Sequence, residues 1–206
     1  MKEYHKIQSV YKRDPKTNFK TLLGEFSLPE FEFLQHNGWD FTEKVDGTNI
    51  RILFRDGQLS FGGRTDRAQL PKPLLAFLER HFQPQLSRFT KNFEEVCFYG
   101  EGYGPGIQSG GNYRSDQSFV LFDVKVGDWW LLREDVESIA QDFGLQVVPT
   151  FGSGTLHDMV ALCQKGFDST WGSFQAEGLI ARPPVELKDR RGMRIITKLK
   201  CKDFRS

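Results

Sequence analysis

The stretch Glu43-Lys44-Val45-Asp46-Gly47-Thr48-Asn49-Ile50-Arg51-Ile52-Leu53-Phe54-Arg55-Asp56-Gly57 holds two Asp-Gly dipeptides around one run of strict alternation. Ile50, Ile52 and Phe54 fall on one side of an extended chain, and Arg51, Leu53 and Arg55 on the other. Asp56-Gly57 then turns the chain into Leu59 and Phe61. Alternation of period two, ended by a dipeptide suited to positive φ, is a hairpin signal. The first Asp-Gly admits two readings. In one it is a tight turn between strands with Lys44 merely solvated beside it, the commoner fate of an isolated Lys-x-Asp-Gly. In the other Lys44 is an amine held near a packed strand end for chemistry, where an ammonium deprived of water gives up its proton more readily.

Outward from this stretch, strands and helices do not alternate strictly. Pro71–Phe82 has a proline-rich start and apolar residues at helical spacing, which predicts a helix from about Pro73. Val96–Tyr99 and Phe119–Val126 read as buried strands, and Gly127-Asp128 turns the second into Trp129–Leu132. Arg133–Phe143 is amphipathic and stops at Gly144; Thr155–Lys165 predicts another helix, ending at Gly166. Leu179–Ala181 and Arg194–Ile196 read as further strands, and the glycine-rich run Gly100–Gly111 as a mobile loop. Tight turns between strands favour α+β with antiparallel sheets over a doubly wound parallel sheet.

The chain has 206 residues, 38% of them hydrophobic and 27% charged, which excludes a disordered protein and fits one domain over 1–206. Nineteen Phe against three Met predict a core built on aromatic rings. No apolar run is long enough for a membrane and no secretory signal is visible, so a cytoplasmic location is expected. Cys97, Cys163 and Cys201 lack metal-ligand spacing and read as reduced thiols. Residues 1–20 carry six basic residues, among them Lys2, against Glu3 and Asp14, a balance of +4. Residues 188–206 carry eight, among them Arg205, against Asp189 and Asp203, a balance of +6, which leaves −9 between them. Basic ends around an acidic middle fit a polyanion on the surface; two solvated charged ends fit equally well.

A reactive reading of Lys44 needs cations for phosphate, carboxylates for ribose or metal, and an aromatic face for a base. Downstream stand Arg64-Thr65 after two glycines, Glu101 in Phe98-Tyr99-Gly100-Glu101-Gly102, Phe122-Asp123 within an apolar strand, Glu177-Gly178, and Lys198-Leu199-Lys200. Alternate strand residues share a face, so Lys198 and Lys200 point the same way. Each piece alone is bland.

The ordered set resembles the covalent lysyl-nucleotidyltransferase superfamily of ATP-dependent ligases and mRNA-capping enzymes, over about residues 4–204. Lys44–Asn49 is similar to its first motif, with Arg64 following, Glu101 at the third, Phe122 beside it, Glu177-Gly178 at the fourth and Lys198-Leu199-Lys200 at the fifth. Lys-x-Asp-Gly-x-Asn, ending in Asn49, resembles RNA ligases, as do Phe41–Lys44 and Tyr4–Ile7, which look like the nick-sealing phage and bacterial type. Capping enzymes and DNA ligases usually place Arg where Asn49 stands. The fold implied is the α+β nucleotidyltransferase (ATP-grasp-like) fold, two antiparallel sheets flanked by helices with the nucleotide in the groove between them.

The activity implied joins 5′-phosphate and 3′-hydroxyl RNA ends with ATP through lysyl-AMP on Lys44. The resemblance implies catalytic roles for Lys44, Glu177, Lys198 and Lys200, and nucleotide binding by these with Glu43, Asn49, Arg64, Glu101 and Phe122. Glu101 would take ribose, Phe122 adenine, Arg64 the nucleotide or RNA end, and Asn49 the 3′-hydroxyl end. Asp46, Glu101 and Glu177 would hold Mg²⁺ or Mn²⁺ largely through water. The final motif keeps two registers, Lys198/Lys200, preferred because it follows Ile195-Ile196-Thr197, and Lys200/Lys202. No OB-fold or C-terminal domain is expected after it, so RNA is gripped by this domain, its basic ends or an accessory RNA-binding protein; a monomer is expected. The alternatives are a nucleotidyltransferase acting on nicked DNA or an RNA cap, and a non-catalytic RNA-binding relative.

Overall fold

The computed structural model describes residues 3–17 and 20–204; Lys2 and Arg205, counted above in the basic ends, lie outside the described residues. In chain order the elements are β1 (Gln8–Ser9), β2 (Tyr11–Asp14), β3 (Lys20–Phe26), α1 (Pro29–Phe33), β4 (Trp39–Glu43), β5 (Thr48–Arg55), β6 (Gln58–Gly62), α2 (Lys72–Phe82), α3 (Leu86–Asn92), β7 (Glu95–Tyr103), β8 (Ser118–Val126), β9 (Trp129–Trp130), α4 (Arg133–Asp142), β10 (Gln146–Val147), β11 (Thr150–Gly154), α5 (Leu156–Lys165), β12 (Gly178–Arg182) and β13 (Thr197–Lys200). The chain divides into two compact units: a central one, Asp46–Val148 with Tyr4, and a terminal one, His5–Val45 with the chain from Pro149 onward. Among the described residues no helix is long and apolar enough to cross a membrane.

In the central unit the strands run β10-β8-β7-β5-β6, with β9 beside β8. Ile50, Ile52 and Phe54 face inward against α2 and α3, as their alternation predicts. Leu74, Leu78 and Phe82 recur every fourth residue on α2, which lays one stripe of that helix onto the sheet. Phe82 meets Phe61, Phe89, Phe98 and Phe119 at centroid distances of 6.1–6.3 Å, the aromatic core that the phenylalanine count predicts. Each such pair adds about 0.5–1.5 kcal/mol beyond the area it buries. Asp56 and Gly57 take φ of 52° and 71°, the left-handed pair that a two-residue hairpin turn requires.

In the terminal unit the order is β1-β13-β12-β4-β11, with β2 and β3 forming a separate pair. Trp39 and Phe41 of β4, Leu179 and Ala181 of β12 and Leu199 of β13 pack with Phe31 of α1 and Leu156, Met159 and Cys163 of α5. Thr155 begins α5 in a capping box, its side chain accepting from the Asp158 amide while Asp158 accepts from Thr155. Both larger sheets are antiparallel except at one edge, where the two-residue strands β1 and β10 pair parallel to β13 and β8. β10 is parallel because it returns through α4, the crossover that parallel pairing needs.

Three local readings change. Asp46-Gly47 is not a hairpin turn: β4 pairs with β11 and β12, whereas β5 pairs with β6 and β7, so the chain passes here from one sheet to the other. Gly47 serves close approach instead, since a Cβ on it would lie 2.3 Å from the Gly102 carbonyl oxygen. The run Gly100–Gly111 is not one mobile loop, because Gly100 to Tyr103 belong to β7. A Cβ on Gly100 would stand 2.2 Å from Val120 O, and one on Gly102 2.4 Å from Leu74, so these glycines admit neighbouring atoms. Arg194–Ile196 is not strand; β13 starts at Thr197, because Arg194 and Ile195 are engaged within the preceding loop.

Candidate active site

In the terminal unit β4 ends at Glu43, and the backbone of Lys44 stays attached to β12, its amide donating to Gly178 O at 2.9 Å. Glu177 immediately precedes β12, whose first residue, Gly178, is paired with Lys200, the last of β13. A Cβ on Gly178 would lie 1.9 Å from Leu199 O, so the two strands close tightly at this end. The register brings one carboxylate between two amines. Lys44 Nζ lies 2.6 Å from Glu177 Oε2, and Lys200 Nζ lies 2.6 Å from Glu177 Oε1. The side chains of Lys44, Glu177 and Lys200 are 19%, 9% and 25% exposed, enough shelter to strengthen the pairs and enough opening to admit a ligand. Lys198 is half-buried on the same face of β13 as Lys200, whereas Lys202 falls in a 3₁₀ turn beyond the strand.

Glu43 differs from the expectation that it binds nucleotide. Its carboxylate is 1% exposed and turned inward, accepting from Ser169 Oγ, from the Thr170 amide at 2.9 Å and from Thr170 Oγ1 at 2.7 Å. Those residues belong to a strap over 167–176, closed by the Ala176 amide donating to Phe167 O at 3.0 Å. The strap leads directly into Glu177.

The central unit carries Asp46, Asn49, Arg64, Glu101 and Phe122. Asn49 on β5 stands opposite Glu101 on β7, both half-buried, and Asn49 Oδ1 is buried without a hydrogen-bond partner. A buried acceptor left in this state is rare and costs about 1–3 kcal/mol, so it marks a place for a ligand donor. Phe122 is the extra residue of a bulge, for Tyr99 pairs with Asp123 while Gly100 pairs with Leu121. A bulge re-aims one side chain without breaking the sheet. Phe122 is half-buried, and the Tyr4 ring meets it edge-on at 5.1 Å and 71°. Tyr4 Oη donates to Asp123 Oδ2 at 2.8 Å. On the same face of β7 burial holds Cys97 up at about 11 and the Tyr99 hydroxyl far above its usual range, so both stay protonated near neutrality.

Asp46 Oδ2 accepts from the Ser109 amide at 3.2 Å, and its own amide donates to Tyr113 Oη, which ties the loop after β7. Among the described residues no three His, Cys, Asp or Glu gather to hold a metal ion. Asp46 and Glu101 nonetheless offer hard oxygen donors in one unit, and a Mg²⁺-like ion keeps most of its waters and needs only one or two carboxylates. Both Glu177 oxygens are taken by lysines in this arrangement.

Arg64 is exposed on a segment held from beneath. Arg51, with a fully buried side chain, donates from Nε to Gly63 O at 2.7 Å and from Nη2 to Asp66 Oδ1 at 2.9 Å. Arg51→Met is expected to lower unfolding free energy by about 2–3 kcal/mol, because Gly63 O loses its donor. Hydrogen exchange should rise over 63–66; unchanged exchange there would count against the latch. The charged ends are partly neutralised as well: Arg13 pairs with Asp203, Lys12 with Glu25, Arg191 with Asp189 and Arg194 with Glu186.

Of the predicted set, the structure gathers Lys44, Glu177 and Lys200 through direct contacts, and sets Asn49 opposite Glu101. Composition and spacing carried no signal for the Glu43–Ser169–Thr170 cluster, for Arg51 with Asp66, or for Tyr4 against Asp123.

The fold matches solved RNA ligase structures from Naegleria gruberi. One with PPi has a TM-score of 0.70 at 16% identity, covering 97% of this chain and 56% of that one. A variant with AMP and Mn gives 0.69 at 17%, covering 97% and 56%. A variant with ATP and Mn gives 0.67 at 16%, covering 98% and 63%. The chain thus spans little more than half the length of these ligases. No curated protein matches it. The RNA ligase family model matches residues 38–200, from just before β4 to the end of β13. The chain belongs to the RNA ligase family.

Proposed function

We propose that this chain is an ATP-dependent RNA ligase, joining 5′-phosphate and 3′-hydroxyl RNA ends through a lysyl-AMP intermediate on Lys44. The observation that carries the reading is the Glu177 carboxylate held between Lys44 and Lys200, each at 2.6 Å. A protonated amine is no nucleophile, so Lys44 must shed its proton before it attacks. A lone buried carboxylate would resist that loss, because the change would strip it of its partner. Here Glu177 keeps Lys200 when Lys44 becomes neutral, so the second lysine lowers the cost of discharging the first.

The freed amine attacks the α-phosphorus of ATP, a P–N bond forms, and pyrophosphate leaves with the electrons of the broken P–O bond. Lys200 and Lys198 stabilise the charge that grows on the phosphate oxygens, the main requirement of phosphoryl transfer. The RNA 5′-phosphate then takes the AMP, which returns Lys44 to an amine, and the 3′-hydroxyl displaces AMP to seal the strand. Phe122 stacks on adenine, Glu101 accepts from ribose, and Asn49 Oδ1 receives a donor from the ligand or the 3′-hydroxyl end. A divalent ion at Asp46 and Glu101, bound largely through water, would neutralise phosphate charge when present. The structures with AMP or ATP and Mn in Naegleria gruberi RNA ligase support this choice of substrate and ion. A monomer in the cytoplasm, with or without an accessory RNA-binding protein, fits the same reading.

The experiment is incubation with α-labelled ATP, followed by a chase with 5′-phosphorylated RNA and DNA, nicked and single-stranded. Label on the protein that moves to RNA and then appears as free AMP with joined strands is expected. Protein that takes no label sinks the covalent mechanism, and label that passes only to DNA sinks the RNA assignment.

A further inference from the structure

The connection between β12 and β13, residues 183–196, is longer than a hairpin needs and is folded along its length. The Ile195 amide donates to Leu187 O at 2.9 Å, and the Asp189 amide to Met193 O at 2.8 Å. At the tip Asp189 Oδ1 accepts from the amides of Arg191 and Met193 at 2.8 and 2.9 Å, and Gly192 takes a left-handed φ of 78°. The backbone donor from Met193 leads the interactions that hold the Asp189 carboxyl below its usual range, so the knot stays charged and closed near neutrality. Lower down Arg194, its side chain 4% exposed, forks onto both oxygens of Glu186.

Both acids of the loop are therefore consumed within it. Glu186 neutralises a buried guanidinium, and Asp189 ties backbone amides and Arg191. Lys188 and Arg190 remain as exposed cations with no ion pair among the described residues. At the other basic end Lys12 and Arg13 each have an acidic partner, and Lys6, Lys16 and Lys20 are exposed with no ion pair among the described residues, so what sets Lys188 and Arg190 apart is that they sit on a braced turn. The result is a braced finger that presents unneutralised positive charge at fixed spacing. It springs from the far ends of the two strands whose near ends carry Glu177 and Lys200.

We propose that this finger grips the phosphate backbone of the RNA being sealed, with Lys188 and Arg190 on phosphates remote from the junction. The proposal rests on the ligase reading for its choice of RNA. The five steps from Glu177 to Arg182 put the base of the finger about 16 Å from Glu177, and the twelve steps to Asp189 cap its reach at about 40 Å, so the phosphates it meets lie away from the junction.

The test is binding of a labelled nicked RNA duplex to Lys188→Ala/Arg190→Ala, which leaves Arg191–Asp189 and Arg194–Glu186 in place. The Kd is expected to rise about tenfold or more, and the slope of log K against log salt to become shallower by about 2. AMP loading of the protein should stay at the wild-type rate. An unchanged Kd and salt slope would overturn the grip, as would an equal fall in AMP loading. A wild-type protein that never loads AMP defeats the ligase reading alone, since the binding isotherms still test the finger.

Discussion

Lys44→Arg protein is expected to fold as well as wild type and to incorporate no AMP. Arginine keeps a cation beside Glu177, so the carboxylate held by Lys44 and Lys200 at 2.6 Å is not stripped of a partner. The guanidinium stays protonated at any working pH and cannot attack phosphorus. The loss should be at least on the order of 10⁴-fold in AMP loading, the scale seen when a covalent nucleophile is removed. Unfolding free energy should stay within about 1 kcal/mol of wild type, because the variant keeps a cation paired with Glu177. Lys44→Ala is also expected to load nothing, but with a lower melting temperature, since Glu177 then keeps Lys200 alone. Offered RNA that is already adenylated at its 5′ end, Lys44→Arg should still join it to a 3′-hydroxyl, because that step forms no bond to Lys44. Persisting label on either variant would place the nucleophile elsewhere.

Hairpin β5–β6 and helices α2, α4 and α5 were readable because each is specified locally. Ile50, Ile52 and Phe54 share one face, Asp56-Gly57 has the left-handed pair its turn needs, and Thr155 with Asp158 closes a capping box over four residues. The segment Lys44–Gly47 shows where local reading stops. Asp-Gly is equally suited to a turn and to a close approach, and what decides is Gly102, more than fifty residues away in the chain. The two-residue parallel edges β1 and β10 carry no pattern at all, being too short to show a period. In the candidate site, order along the chain marked Lys44, Glu177 and Lys200, and the antiparallel register of β12 on β13 supplies the contact. The inward turn of Glu43 could not be read, because both donors it meets lie about 126 residues downstream in an irregular strap.

Glu43→Ala is expected to be the most damaging substitution outside the residues that touch the α-phosphate. The Glu43 carboxylate accepts three hydrogen bonds from Ser169 and Thr170 while 1% exposed, so its removal leaves donors facing a void. Hydrogen bonds to a buried charge contribute about 1.5–3 kcal/mol each, and water can reach the partly exposed Thr170 side, which suggests a net loss of about 2–4 kcal/mol. For a chain of this size that lowers the melting temperature by about 5–15 °C. Glu43→Gln should recover part of the loss. Its amide oxygen can take the Thr170 amide, but its NH₂ must then face Ser169 Oγ, whose hydroxyl donates to the Glu43 carboxylate and loses that acceptor. The strap runs straight into Glu177, so its release also frees the carboxylate that holds Lys44. AMP loading, measured well below the melting temperature, should therefore fall about tenfold or more in Glu43→Ala and less in Glu43→Gln. A stability loss with loading intact would separate the strap from the chemistry, and loading lost at full stability would return Glu43 to a direct role with the nucleotide.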